Sequence, residues 1–393
     1  MDNSRETKKS GGWCNLPLEL LMLIMAQLSF LDRIYVPAVC KNWSRVDVRK
    51  IPKLKEKFPS IFMYNWKTLK SNITSKIEYK LDFSSSFHKQ IFTINLDATE
   101  SKEVSTIPLV NSNKMLIEEF VQARPLASKY GWLLFAYYLE NEDSKRYFFF
   151  NPITKETIKL PFKVDGYRTM VATFTSSPLS PECKVFAIHE YDIADDMKIH
   201  ICTIFRLLSV VEGNRIEPLT DSKYYNLELK MSESAQSVVY DNDHEEFFVL
   251  TSQCNLLSIS FEDNVGVMEV VHHICPWYTG TTPILTNLYM VWYEKDLIMI
   301  YFHPSGNYVD VCRFDWDIES WVDIYFTNIA IFVGCSSYAT SIDIDGNEIE
   351  GRIYYQADGL TWYYSMETRN HYRCSEFYST SIQNMKKVWF KPI

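Results

Sequence analysis

Glycine is scarce in this chain, 12 residues in 393, and no group of them forms the loop that cradles a phosphate in backbone N–H groups. Cysteine numbers nine, an odd count with no Cys-x-x-Cys pair, so neither a metal knuckle nor a disulfide framework is visible. A reducing compartment, cytosol and/or nucleus, is the expected setting. Long apolar runs are missing as well. Leu18–Leu28 carries Glu19 and Gln27 and falls short of the ~20 residues a membrane span needs. Ser29-Phe30-Leu31-Asp32 after it offers no small-residue site for signal cleavage. Beyond residue 60 positive charge is in deficit: 29 Lys+Arg stand against 43 Asp+Glu, whereas residues 1–60 hold 11 against 6. An acidic main region of net charge −14 argues against a nucleic-acid backbone as partner and mildly favours basic protein partners. Hydrophobic content of 47% and charged content of 23% describe an ordinary globular protein, long enough for one small and one large domain.

Within the apolar stretch, Pro17 suits the first turn of a helix, with Asn15 or Leu16 at its cap. The helix from Leu18 to Leu28 is apolar nearly all round, so it expects neighbours on every side. An ordinary core helix is the competing reading, and the residues that follow decide against it. Asp32 caps a short turn, and Pro37 separates that turn from a third helix on which Val39, Cys40 and Trp43 share a face.

Leu-Pro at 16–17, the apolar helix, and Val39-Cys-Lys-x-Trp43 together resemble an F-box over about 35 residues. The resemblance implies three helices docked on a Skp-type adaptor, which joins the protein to a cullin-based ubiquitin ligase. By that likeness Leu16, Pro17, Leu20, Leu21, Ile24 and Leu28 face the adaptor or pack beside it. Val39, Cys40 and Trp43 complete the set, locking the helices together. Family members often carry a polar residue where this chain has Met22, Leu23 and Met25.

After a charge-rich connector the chain changes character. Short β-branched and aromatic runs bounded by turn residues predict strands: Ile61–Tyr64, Gln90–Leu96, Trp132–Tyr138, Tyr147–Phe150, Glu246–Thr251, Tyr289–Tyr293, Leu297–Phe302 and Arg352–Tyr355. Helical periodicity is confined there to Asn113–Ala123. Strand-turn-strand units aligned on Asn95, Asn151, Arg206, Phe261, Phe314 and Ser365 repeat every 51 to 56 residues, slightly longer than a usual propeller blade. The expectation is a small all-α domain followed by an all-β propeller, six blades favoured and seven possible. An irregular β-sandwich is the alternative. The lone final strand around Lys387–Phe390 favours a ring, which uses it to join the chain ends and remove exposed edges. The expected division is a disordered tail at 1–10, the helical domain at 11–50, a connector at 51–60 and the propeller at 61–393.

This region resembles the plant F-box proteins whose C-terminal domain is called KIB-like. The residues are Tyr130-Gly-Trp-Leu-Leu-Phe, Phe150-Asn-Pro-Ile-Thr with Leu160-Pro, Ile331-Phe-Val-Gly, Gly351-Arg-Ile-Tyr-Tyr and Val388-Trp-Phe-Lys-Pro. Tyr355, Gln356 and Asp358 depart from the family's usual residues, marking a divergent member. The resemblance implies a propeller.

Residues that suggest chemistry have plainer readings. Asp343-Ile-Asp-Gly-Asn-Glu lacks the twelfth-position Glu of a calcium loop, and Asp345-Gly346 reads as a hairpin turn. Asp241-Asn-Asp-His-Glu-Glu is the turn between two strands. His272 and His273 point to opposite strand faces. Gly334-Cys-Ser-Ser lacks the second glycine of a nucleophile elbow. No catalytic, cofactor or metal residue is assigned. The expected function is a substrate-recognition subunit of a Skp-cullin-F-box ligase, with an unknown protein target on the propeller and no nucleic-acid or membrane partner. The alternatives are a scaffold or kinase-regulatory binder that does not recruit the ligase, or, further off, a propeller glycoside hydrolase with paired carboxylates.

Overall fold

The computed structural model describes residues 13–27, 36, 39–45 and, within 59–393, the strands and turns named below. Residues 1–12, 28–35, 46–58, 66–76, 83–88, 95–122, 274–286 and 375–384, with several shorter loop pieces, lie outside the description. So do four expectations: the tail, the capping turn at Asp32, most of the connector and the helix over Asn113–Ala123. The chain divides into two compact units, Met1–Lys57 and Phe58–Ile393, and each is described by itself.

In the first unit a single 3-10 turn, Trp13–Asn15, precedes the helix α1, Leu18–Gln27. The Pro17 carbonyl accepts the first helical bond from Leu21 N at 3.0 Å. The proline therefore takes the cap itself, one place later than the sequence predicts, and Asn15 stands exposed in the preceding turn. Trp43–Arg45 is a further 3-10 turn.

The second unit is built of mainly antiparallel sheets. Five are four-stranded blades. Blade I takes Ser60–Asn65, Ile77–Asp82 and Lys89–Ile94 from the start of the unit and Met385–Phe390 from its end. Blade II spans Arg124–Asp165, blade III Arg168–Leu227, blade IV Ala235–His273 and blade V Leu288–Asp323. The remaining large sheet has five strands and a different topology: Ile329–Phe332 pairs antiparallel with Tyr338–Ser341 and parallel with Arg352–Ala357. The six or seven like blades expected from the period are thus corrected to five regular ones, with the last segment rearranged around a parallel pairing. Within the described residues the predicted runs lie on strands, Asn95 and Leu96 falling outside them, and Asp343–Ile344 pairs antiparallel with Asn347–Glu348. The expected turn residues Asp345 and Gly346 lie outside the described residues.

The first strands of blades II to V pack side by side in chain order, with Met385–Phe390 beside that of blade II and Tyr338–Ser341 beside that of blade V. The final strand therefore occupies the axial position of blade I, paired antiparallel with Ser60–Asn65 in the register Ile61↔Trp389. The predicted joining of the chain ends is present. Between blades the space is filled by aromatics: Phe149 meets Phe174 edge-on at 5.0 Å between II and III, Phe186 stacks on Phe247 at 4.5 Å between III and IV, and Phe248 stacks on Trp292 at 5.6 Å between IV and V. Such pairs add stabilisation beyond their buried area.

One set of buried polar groups is paired around His189. His189 accepts or donates at both nitrogens, to Thr203 Oγ1 at 2.7 Å and to Thr169 Oγ1 at 3.2 Å, and Tyr147 OH lies 2.6 Å from the same Thr169 hydroxyl. Burial, assisted by the Lys145 charge, pushes the imidazole down to about 3.

Candidate protein-interaction surfaces

In the N-terminal unit the apolar helix has two unlike sides. Leu21 and Met25, four apart, turn inward with Val36 into a small core flanked by Met22 and Trp43. The Trp43 indole fixes the return of the chain by donating to the Trp13 carbonyl at 3.1 Å. On the other side Leu20 and Leu23 face out, Leu23 at 64% exposure, with Leu18 half exposed at the helix start. Trp13 is 73% and Val39 59% exposed. Several large apolar side chains on so small a unit exceed the scatter of a monomer surface and mark an interaction site.

The predicted site residues separate accordingly. Pro17 and Leu20 are exposed, Leu16, Ile24, Cys40 and Trp43 are half-buried, and Leu21 is interior. Leu28 lies outside the described residues. Val39, expected to lock the helices, is exposed among the described residues, and its N–H bonds Val36 O at 3.1 Å. Trp13, Leu18 and Leu23 are the residues that sequence reasoning missed. With no polar stripe along the helix, nothing in the letters says which leucines turn inward.

On the propeller, one face collects the turns that join first to second and third to fourth strands. Lys129 and Trp132 are a closing pair, and Tyr130 and Gly131 between them have φ of 51° and 75°, the double left-handed geometry of a tight hairpin. Tyr130 OH donates to Thr175 O at 2.7 Å and lies 3.5 Å from Asn242 Oδ1, linking the turns of blades II and IV. Lys129 Nζ sits over the Tyr130 and Tyr240 rings at 5.5 and 5.8 Å, and burial pulls its ammonium down to about 8. In blade IV the predicted turn Asn242–Glu245 is held by Asp241, whose carboxylate accepts from Asp243 N at 2.9 Å and pairs with His244 Nδ1 at 2.5 Å. That pairing raises the His244 pKa. In blade V Asp315 does the same for the turn Trp316–Glu319, accepting from Asp317 N at 3.0 Å.

Elsewhere in the propeller a cleft of about 310 Å³ opens among Asn287, Tyr289, Phe302, Tyr355 and Trp389. Among the described residues its lining is aromatic, aliphatic and amide, with the Cys335 thiol and no carboxylate. Among the described residues no group of His, Cys, Asp and Glu is arranged to hold a metal, and no helix is long and apolar enough to cross a membrane.

Two family models match, the F-box domain over residues 13–49 and the KIB1-4 beta-propeller over residues 92–375. The chain belongs to the KIB1-4 beta-propeller family. An F-box/kelch-repeat protein of Arabidopsis thaliana is 32% identical over 183 residues, covering 46% of this chain and 41% of that protein. A second Arabidopsis thaliana F-box protein is 25% identical over 149 residues, 38% of this chain and 81% of that one. The match thus spans about two-fifths of the first relative's length. Among solved structures, Trypanosoma rangeli sialidase aligns with 62% of this chain and 43% of its own at 9% identity and a TM-score of 0.32. A GH43 β-xylosidase/α-arabinofuranosidase from a compost metagenome aligns with 68% and 91% at 8% identity, also with a TM-score of 0.32. Likenesses this slight say nothing of activity. Within the KIB1-4 beta-propeller family frame, the quoted motifs have physical roles. Tyr130-Gly131 makes the hairpin turn. Asn151 Oδ1 caps Thr154 N at 3.0 Å. Gly351 lies where a Cβ would come within 2.7 Å of the Phe326 ring.

Proposed function

We propose that the protein is the substrate-recognition subunit of a Skp-cullin-F-box ubiquitin ligase. The helical unit docks on a Skp-type adaptor and through it a cullin, and the propeller binds a protein target. It contributes no catalytic residue, acts in cytosol and/or nucleus, and is organised as a tail at 1–10, an F-box at 11–50, a connector at 51–60 and the propeller at 61–393. The carrying observation is the outward apolar set Trp13, Leu18, Leu20, Leu23 and Val39 on a unit whose own core is already formed by Leu21, Met25 and Val36. Full burial of such a side chain is worth about 1.5–3 kcal/mol; these are about half to three-quarters exposed, and an adaptor groove recovers the corresponding part of it. Leu16, Pro17, Ile24, Leu28, Cys40 and Trp43 support that surface from its edges.

Co-purification of the full chain with adaptor and cullin tests the reading. Recovery of both is the expected result. Adaptor without cullin would assign the chain to a scaffold or kinase-regulatory role, and recovery of neither would refute the docking.

A further inference from the structure

The target-binding role just proposed leaves open where on the propeller a target sits and what chemistry it brings. One corner of the turn-bearing face answers both. The turn Trp316–Glu319 of blade V projects two large apolar side chains, Trp316 at 44% and Ile318 at 64% exposure. Trp316 is not a loose side chain. One side of its ring packs against Phe314 at 4.7 Å and against Phe248 of blade IV at 5.4 Å, and Phe248 in turn stacks on Trp292. The indole is held as a shelf by these edge-on and tilted contacts while 44% of it remains exposed. Asp315 fixes the turn beneath it, its Oδ1 accepting from both Asp317 N and Ile318 N.

Around this shelf carboxylates predominate among the described residues. Asp317 and Glu319 stand exposed on the same turn, Glu294 on the neighbouring turn of blade V, and Asp243 and Glu245 on the adjoining turn of blade IV. The nearby bases are largely engaged. Arg313 lies between Asp296 Oδ1 at 3.5 Å and Asp315 Oδ2 at 3.9 Å, and His244 is paired with Asp241. Lys295 is the exposed base at the corner. Carboxylates repel a phosphate backbone and an anionic membrane alike. An open indole face attracts ammonium or guanidinium groups, and Ile318 offers contact for the methylene stems that carry them.

We propose that this corner of blades IV and V is the seat of a basic segment, rich in arginine and lysine, on the protein target. This rests on the reading of the propeller as a target-binding module. A cationic side chain lies over Trp316, its stem against Ile318, while neighbouring bases meet the carboxylates of the three turns. The aromatic shelf sets position and the acidic rim sets sign, so the two contributions respond to different variants.

The test uses the full chain and a fluorescent peptide of alternating arginine, lysine and serine, with its glutamate-substituted counterpart as the charge-reversed control. Asp317→Lys with Glu319→Lys alters only exposed turn positions and should weaken the basic peptide about tenfold or more. Trp316→Leu, which keeps an apolar side chain but loses the aromatic face, should weaken it about threefold to tenfold and leave its salt dependence intact. Glu156→Lys with Glu367→Lys, on turns of blade II and the five-stranded sheet, changes net charge equally and should cost less than about twofold. Equal weakening by the two charge reversals would overturn the proposal, since binding would then follow net charge alone. So would an unchanged affinity in both Trp316→Leu and the Asp317–Glu319 variant. Adaptor capture, measured on the same samples, stays at the wild-type level throughout. Its loss in the wild type would count against the ligase reading and not against this surface.

Discussion

The indole nitrogen of Trp389 donates to the carbonyl of Val333 at 3.0 Å. Trp389 belongs to the last strand, Val333 to the loop after Ile329–Phe332, and the bond ties the axial strand of blade I to the five-stranded sheet. The ring also meets Phe332 edge-on at 4.9 Å, and Gly334 lies so close that a Cβ there would stand 3.2 Å from Trp389 Cδ1.

Trp389→Ala should therefore destabilise the propeller by about 3–5 kcal/mol, the usual loss for a buried aromatic and a large share of the about 5–15 kcal/mol that holds a typical domain. Deleting residues 386–393 should expose the edge of Ser60–Asn65 as well. Limited proteolysis ought then to cut throughout residues 60–385. Cleavage confined to the new terminus would show that the strand is dispensable.

The two sides of the first helix should respond differently to charge. Leu20→Asp with Leu23→Asp places carboxylates on residues already in water, so helicity should persist while adaptor capture is lost. Leu21→Asp buries an unpaired charge against Met25 and Val36, costing several kcal/mol, and should melt the helical unit along with its binding. Circular dichroism beside pull-down separates them; equal loss of helicity in both would contradict the assigned orientation.

Gly351→Ala should cost about 1–3 kcal/mol through overpacking, because the added methyl meets the Phe326 ring and, nearer still, its carbonyl oxygen. A thermal melt measures the drop. An unchanged midpoint would mean that the segment around Phe326 yields freely.

Acid should weaken the propeller through His189. Its folded-state value lies near 3 against an ordinary 6.5, so below pH 6.5 the unfolded chain binds a proton that the folded one refuses. The contribution is complete above pH 6.5 and is lost as pH falls toward 3, by at most ~1.4 kcal/mol per pH unit. His189→Gln should flatten that part of the profile. A wild-type curve that superimposes on the variant between pH 6.5 and 4 would refute the assignment.

What the letters reveal follows from how local the cause is. Trp132–Tyr138 and Glu246–Thr251 are strands from end to end because runs of β-branched and aromatic residues between turn residues are properties of neighbours. The turn after Asp241 and the pairing of Asp343–Ile344 with Asn347–Glu348 are legible for the same reason. The count of like blades is not. Asn151, Phe261 and Phe314 mark third strands, but Asn95 follows an outermost strand, because blade I borrows its axial strand from the far end of the chain. The parallel pairing of Ile331 with Ile353 is equally non-local. At the candidate sites the apolar helix was visible and its orientation was not, since Leu20 and Leu21 are the same residue type with opposite surroundings. The shelf of Trp316 on Phe248 joins residues of different blades, and no spacing rule connects them.

The axial strand of blade I has a consequence for synthesis. Ser60–Asn65 leaves the ribosome more than three hundred residues before its partner Met385–Phe390, and until then blade I has an open edge facing the axis. Release of a chain that stops short of Trp389 would leave that edge open permanently, a template for pairing with other chains. The placement of the last strand thus makes the fold its own check on length: only a chain translated through Phe390 can hide the edge it exposed first.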